Sequence, residues 1–208
     1  MQKFLLIDDH VIVRTGIKLL IASIYIDSQI DEAKDGDSAL ALVNDNEYDF
    51  AMLDVLMPNT DSLALMETFK EKCPNLKVLV FSMNAEKVYA MRYLKAGAKG
   101  FVSKDAPMDE VRKAIDMVLN GKKYISEEML SLLAEGKVDS ANKNPFSLLS
   151  SREFEIVLML LNGKTISGIA AELQLGISTI GTHKGRIFIK LKVNNLLELQ
   201  DLANVHNL

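Results

Sequence analysis

The sequence predicts an α/β, doubly wound domain on a five-stranded parallel sheet, followed by a small all-helical domain. Three observations carry this. Short apolar runs recur through the first half of the chain, and amphipathic segments alternate with them. Beyond a polar stretch, helical periodicity alone remains. Strands of a parallel sheet are covered by helices on both faces, so they read as continuous apolar runs rather than as alternating ones.

The strand candidates are Phe4–Ile7, Phe50–Leu53, Val78–Phe81 and Gly100–Val102, with a weaker one near Gln29–Ala33. Between them, Val13, Ile17, Leu20 and Ile21 repeat at the spacing of one helix face. Further helices fit Asp37–Asn44, Ser62–Lys72, Glu86–Ala96 and Met108–Asn120. Strands alternating with helices define the doubly wound class. A short helix is expected at Glu127–Ala134. The run from Glu135 to Pro145 is polar and aperiodic, the composition of a linker. Beyond it, Ser150-Ser151-Arg152-Glu153 has capping-box spacing, and Asn195-Leu196-Leu197-Glu198 is a weaker instance. The expected boundaries are 1–122 for the α/β domain, 123–146 for a linker with a short helix, and 147–208 for the helical domain.

With 208 residues, 49% hydrophobic and 25% charged, the chain can bury two small cores. A single cysteine, Cys73, excludes an internal disulfide and fits a reducing compartment. No apolar run approaches the roughly 18 residues of a membrane span, and the N-terminal one is too short for a signal peptide. A cytoplasmic protein without a membrane partner is therefore expected. The net charge of −4 is not that of a generally basic nucleic-acid binder. From Asn144 onward, however, six basic residues face five acidic ones, and four of the six fall between Lys184 and Lys192. Any contact with nucleic acid is expected there.

Ligands of a doubly wound sheet bind beyond the carboxyl ends of its strands. The expected strand ends carry Asp8-Asp9, Asp54, Ser82 and Lys104. Three converging carboxylates repel one another unless a cation neutralises them. Oxygen-only ligands suit Mg²⁺. Asp54 could then act as a nucleophile toward phosphorus, with Lys104 and the Ser82 hydroxyl on the phosphoryl oxygens. An aspartyl-phosphate hydrolase would need a second carboxylate two residues beyond the nucleophile. Leu56 stands there and transfers no proton, so an enzyme is not expected.

Asp8-Asp9, Asp54 followed by Met57-Pro58, Ser82, and Gly100-Phe101-Val102-Ser103-Lys104 resemble the receiver domain of bacterial response regulators. The resemblance implies a flavodoxin-like fold. It implies Mg²⁺ held by Asp8, Asp9, Asp54 and the Val55 backbone carbonyl, and a phosphoryl group accepted on Asp54 from a sensor histidine kinase. Ser82 and Lys104 would read the phosphate, and Phe101 would occupy an aromatic switch position. One departure is visible: Ser62 stands where receivers commonly have Gly, which bears on loop geometry beside the site.

The segment Leu149–Gly163, then Ile169–Leu173, Ser178–His183 and Ile187–Val193, resembles the LuxR-type output module of the NarL/FixJ family. That resemblance implies a four-helix domain whose recognition helix enters the major groove of double-stranded DNA, and a homodimer formed on phosphorylation or DNA binding. Gly181 and Gly185 take positions that often carry longer side chains, Gly168 replaces a helix former, Gly176 a Ser cap, and Leu196 a backbone-holding Arg. The residues left for DNA are Thr179, Thr182, His183, Lys184, Arg186 and Lys190. The expected function is a phosphorylation-dependent transcription regulator of a two-component system. The alternative is a receiver that signals through protein partners, with weak or lost DNA binding.

Overall fold

In the computed structural model, the residues described are 1–57, 60–83, 86–126, 144–173 and 175–206, without the side chains of residues 86–89, 91, 147 and 151. The expected helix at Glu127–Ala134, most of the expected linker, and Pro58 of the motif after Asp54 lie outside them. The chain divides into two compact units, Met1–Glu135 and Gly136–Leu208.

The first unit alternates β1 (Gln2–Ile7), α1 (Val11–Ile24), β2 (Ser28–Ala33), α2 (Gly36–Asp45), β3 (Phe50–Leu53), α3 (Ser62–Lys72), β4 (Lys77–Ser82), α4 (Glu86–Ala96), β5 (Gly100–Ser103) and α5 (Met108–Leu119). The five strands form one parallel sheet in the order β2-β1-β3-β4-β5. The doubly wound class is thus the one the apolar runs predicted. Phe4, Leu6, Phe50, Met52, Leu79, Phe81 and Val102 supply one sheet face, packed against Ile17 and Ile21 of α1 and Val111, Ala114, Ile115 and Val118 of α5. Strand side chains alternate between faces, so Phe101, also fully buried, belongs to the other one. The edge strand β2 is only half-buried, which is why its apolar signal is weak.

Local chemistry starts the helices. Asp35 and Ser38 form a reciprocal capping box at α2, and the Asp61 carboxylate accepts from the Leu63 and Ala64 N–H groups at α3. Gly100 needs its missing side chain: a Cβ there would stand 2.9 Å from the side chains of both Leu79 and Tyr124. Tyr124 forms a parallel bridge with Gly100, is buried, and donates its hydroxyl to Glu110 at 2.6 Å.

The second unit opens with a 3-10 turn at Pro145–Leu148, capped by Asn144. It continues through α6 (Ser151–Leu161), α7 (Ile166–Glu172), α8 (Ile177–Leu191) and α9 (Leu196–Val205). Phe146 and Phe154 meet edge to face in its core, with Ile156, Val157, Ile169, Ile180, Ile187 and Leu199. The Ser150/Glu153 capping box read from the sequence is present. At α9 the Asn195 side chain accepts from the Glu198 N–H.

Candidate functional site

The sheet register assembles the first site. Ile7 pairs with Leu53, so Asp8 and Asp54 leave neighbouring strand ends together, and the Asp54 N–H donates to the Ile7 carbonyl at 2.8 Å. Ser82 pairs with Ser103 on the other side of the sheet, and the Lys104 N–H donates to the Ser82 carbonyl at 3.0 Å. The strand order reverses between β1 and β3, so these ends border the crevice where doubly wound sheets bind ligands.

Asp54, Asp8 and Ser82 are all buried. Lys104 Nζ stands 2.6 Å from Asp8 Oδ2 and 2.8 Å from Asp54 Oδ2, one ammonium bridging two carboxylates. Burial pushes the Asp54 carboxyl above the usual carboxylate range. Lys104 opposes that rise, while the Asp8 charge adds to it. Burial alone would depress Lys104, but the Asp54 and Asp8 carboxylates outweigh it and hold the ammonium above its ordinary value. The other Asp54 oxygen, Oδ1, accepts from the Leu56 N–H at 3.2 Å.

Asp8, Asp9, His10 and Asp54 each offer one ligand atom, all within 4.8 Å of one another. Asp9 Oδ1 is buried without a hydrogen-bond partner, although His10 Nδ1 lies 2.9 Å away. A buried carboxylate oxygen in that condition suits a cation, so the donor set fits a hard, oxygen-seeking metal.

The Val55 carbonyl, which the resemblance put among the metal ligands, is also an acceptor within the fold. It accepts the buried Ser62 hydroxyl at 2.6 Å, and Val55 itself is fully buried. One lone pair of this oxygen is thus engaged at the N-terminus of α3.

Three participants escaped the sequence reading. His10 contacts Asp8 and Asp9. Arg14, one helical turn further on, donates to the Asp8 carbonyl and pairs with Glu32 at 3.1 Å. The Leu56 N–H holds Asp54. The Asp8-Asp9-His10-x-x-x-Arg14 spacing carries a signal for the first two; a backbone donor leaves none.

The second site is the exposed face of α8. Thr179, Thr182, Arg186 and Lys190 are exposed. The Thr182 hydroxyl donates back to the Ser178 carbonyl at 3.0 Å. Gly181 and Gly185 are also exposed on α8, and a Cβ on either would meet nothing within 4 Å. Lys184, Lys190 and His183 have partners or enclosure of their own. Lys184 Nζ lies 5.2 Å from the centre of the Phe188 ring. Lys190 Nζ stands 2.6 Å from Glu153. His183 is half-buried with its Nδ1 enclosed and unbonded. Burial, with Arg186, Arg152 and Lys190 nearby, lowers its pKa against the opposing pull of Glu153, which favours the neutral ring. Gly168 has a local explanation: its N–H donates to the Thr165 hydroxyl at the cap of α7, where a Cβ would stand 3.2 Å from that oxygen.

An acidic crevice with a buried, lysine-paired aspartate, on a chain that ends in a helical domain with an exposed polar helix face, defines a receiver joined to a helix-turn-helix module. The model of the response regulator receiver domain matches residues 4–116, and that of bacterial regulatory proteins of the luxR family matches residues 147–203. The chain belongs to the response regulator family. It is 34% identical over 209 residues to the response regulator GacA of Pseudomonas syringae pv. syringae (strain B728a), with 100% of this chain and 98% of that one covered. It is 30% identical to the response regulator UvrY of Escherichia coli (strain K12), covering 100% and 96%. Among solved structures it is similar to RcsB from Salmonella enterica serovar Typhimurium bound to promoter P1flhDC in the presence of phosphomimetic BeF3-, with a TM-score of 0.60, 25% identity and 97% of each chain covered. Among the described residues no helix is long and apolar enough to cross a membrane.

Proposed function

We propose that this chain is a cytoplasmic two-component transcription regulator, switched by a phosphoryl group that Asp54 accepts from a sensor histidine kinase. The observation that carries the reading is the Asp54 carboxylate, buried at the switch point of the sheet with Lys104 at 2.8 Å and Asp8 on the far side of that ammonium. One Asp54 oxygen attacks phosphorus, the bond from phosphorus to the donor imidazole breaks, and the freed imidazole takes up a proton. Asp8, Asp9, Asp54 and the Val55 backbone carbonyl would hold Mg²⁺, which offsets the charge of the incoming phosphoryl group. Lys104 leaves Asp54 Oδ2 for a phosphoryl oxygen, and the Ser82 hydroxyl donates to another. Phe101 answers the change at Ser82 and Lys104 as the switch aromatic. No external substrate is turned over, so the chain is not an enzyme in the ordinary sense.

The output unit binds double-stranded DNA by laying α8 in the major groove, with Thr179, Thr182, His183, Lys184, Arg186 and Lys190 as the contact set. Bare glycines on that face limit what one copy can hold. A homodimer on two half-sites supplies the rest. RcsB, solved on a promoter, supports this reading. The receiver takes residues 1–122 and the output domain 147–208, with a linker over 123–146. The test is phosphodonor labelling of the wild type and Asp54→Asn with Mg²⁺ present. Label on the wild type alone is expected, and equal label on both overturns the assignment.

A second reading is that the output unit works through protein partners. The bare face at Gly181 and Gly185 and the engagement of Lys190 by Glu153 favour it. Salt-dependent promoter binding that is lost in Lys184→Ala excludes it.

A further inference from the structure

Ser62 is the first residue of α3, and its side chain is fully buried. Its hydroxyl donates to the Val55 carbonyl at 2.6 Å. The N–H at the other end of that same peptide unit belongs to Leu56, and it donates to Asp54 Oδ1 at 3.2 Å. A peptide unit is a rigid plane. Fixing the direction of its carbonyl therefore fixes the direction of its N–H. A bond of 3.2 Å sits at the long end of the useful range, so it depends on the amide being well aimed.

We propose that Ser62 is a positioning residue for the phosphoacceptor, acting through the Val55–Leu56 peptide to aim the Leu56 N–H at the Asp54 carboxylate. The proposal rests on the reading of Asp54 as phosphoacceptor. The two Asp54 oxygens are restrained from different sides: Oδ2 by the ammonium of Lys104, at the end of a long flexible stem, and Oδ1 by this amide. Only the second restraint is built on backbone, and Ser62 is what ties that backbone to a helix. The N-terminus of α3 is itself pinned, since Asp61 accepts from the Leu63 and Ala64 N–H groups at 3.1 and 3.2 Å. The chain of donors runs from α3 through one peptide to the reacting carboxylate, and each bond polarises the next. With Ser62 in place, the carboxylate rests in one orientation before the phosphodonor arrives, which lowers the barrier to attack by pre-positioning. Without the hydroxyl, the Val55 carbonyl loses its buried donor and the plane can rotate.

The test uses the full chain and three proteins: wild type, Ser62→Ala and Ser62→Thr. Amide hydrogen exchange at Leu56 and the initial rate of labelling by phosphoramidate with Mg²⁺ are both measured. Losing one neutral hydrogen bond should speed exchange at Leu56 by about fivefold to tenfold in Ser62→Ala. Labelling should slow by a similar factor, and Ser62→Thr, which keeps the hydroxyl, should recover both. Exchange and labelling in Ser62→Ala within about twofold of the wild type overturn the proposal. Exchange that rises equally along β3 and α3 also overturns it, because that is the signature of a merely structural loss. If the wild type takes no label, the phosphoacceptor reading fails, while exchange at Leu56 still decides whether Ser62 aims that amide.

Discussion

Lys190 Nζ stands 2.6 Å from Glu153 Oε2, which ties the last turn of α8 to the first turn of α6. Glu153 is buried, and the same carboxylate oxygen accepts from the Ser150 N–H at 2.8 Å. The residue is thus both half of a helix cap and the anchor of the helix assigned to DNA. Glu153→Ala removes the cap return and the partner of Lys190 together. Losing a cap costs about 1 kcal/mol. Lys190 is partly exposed, so the ion pair contributes less than a fully buried one. A loss of about 2 kcal/mol is expected, read from urea unfolding of the wild type and variant. A change under about 0.5 kcal/mol would mean that the carboxylate holds nothing.

The glycines of α8 predict the opposite sign. At Gly181 and Gly185 a Cβ meets no atom within 4 Å, so Ala there gains helix propensity without a clash. Each Gly→Ala change is expected to stabilise the output unit by about 0.5–1 kcal/mol. Gly181→Lys and Gly185→Lys should also tighten promoter binding and steepen its salt dependence, by about one unit of slope per added phosphate contact. Titrations at several salt concentrations read this directly. An unchanged slope in both Lys variants would place that face away from DNA.

The legible and illegible parts of this protein divide along one physical line. Strands buried on both faces are apolar along their length, so β1, β3, β4 and β5 could be read from composition, and the residues just beyond their ends followed. Helix α1 begins at Val11, before its apolar period starts, because Val11 and Ile12 are exposed. Periodicity cannot see apolar residues that face solvent. What stayed hidden depends on distant residues meeting. Glu153 and Lys190 are separated by 37 positions, and neither carries a mark of the other. The sequence therefore offers Lys190 as a DNA contact with no sign of this pairing. The bond from Ser62 to the Val55 carbonyl stayed hidden too, because a backbone oxygen has no residue type to mark its partner.

At the receiver site, Lys104 offsets the repulsion between two buried carboxylates, with Nζ at 2.6 and 2.8 Å from Asp8 and Asp54. Lys104→Met leaves both anions facing one another without a cation. Breaking a buried pair by removing one partner costs about 3–5 kcal/mol. The variant should lose stability on that scale in metal-free buffer. It should also recover more of its melting temperature on adding Mg²⁺ than the wild type gains, because the ion takes over the role of the ammonium. Thermal unfolding with and without Mg²⁺ measures both. Equal gains in the two proteins would show that the cation and Lys104 do not share these carboxylates.

The Glu153 carboxylate gives the output unit a pH dependence of definite sign. Burial pushes its pKa up, but the Lys190 ammonium and the Ser150 N–H outweigh burial and hold it below the ordinary glutamate value. A carboxyl whose folded pKa is depressed binds protons more readily when unfolded. Its contribution is therefore fully present above the unfolded value, about 4.3, and is lost as pH falls through the folded one. Stability of the output unit should decline below about pH 5 more steeply in the wild type than in Glu153→Gln, which has no proton to take up at this position. The two proteins should differ most near neutral pH and converge in acid. Melting curves across that range for the pair isolate this one group from the other carboxylates, which both proteins share. Parallel curves would mean that Lys190 does not hold Glu153 ionised in solution.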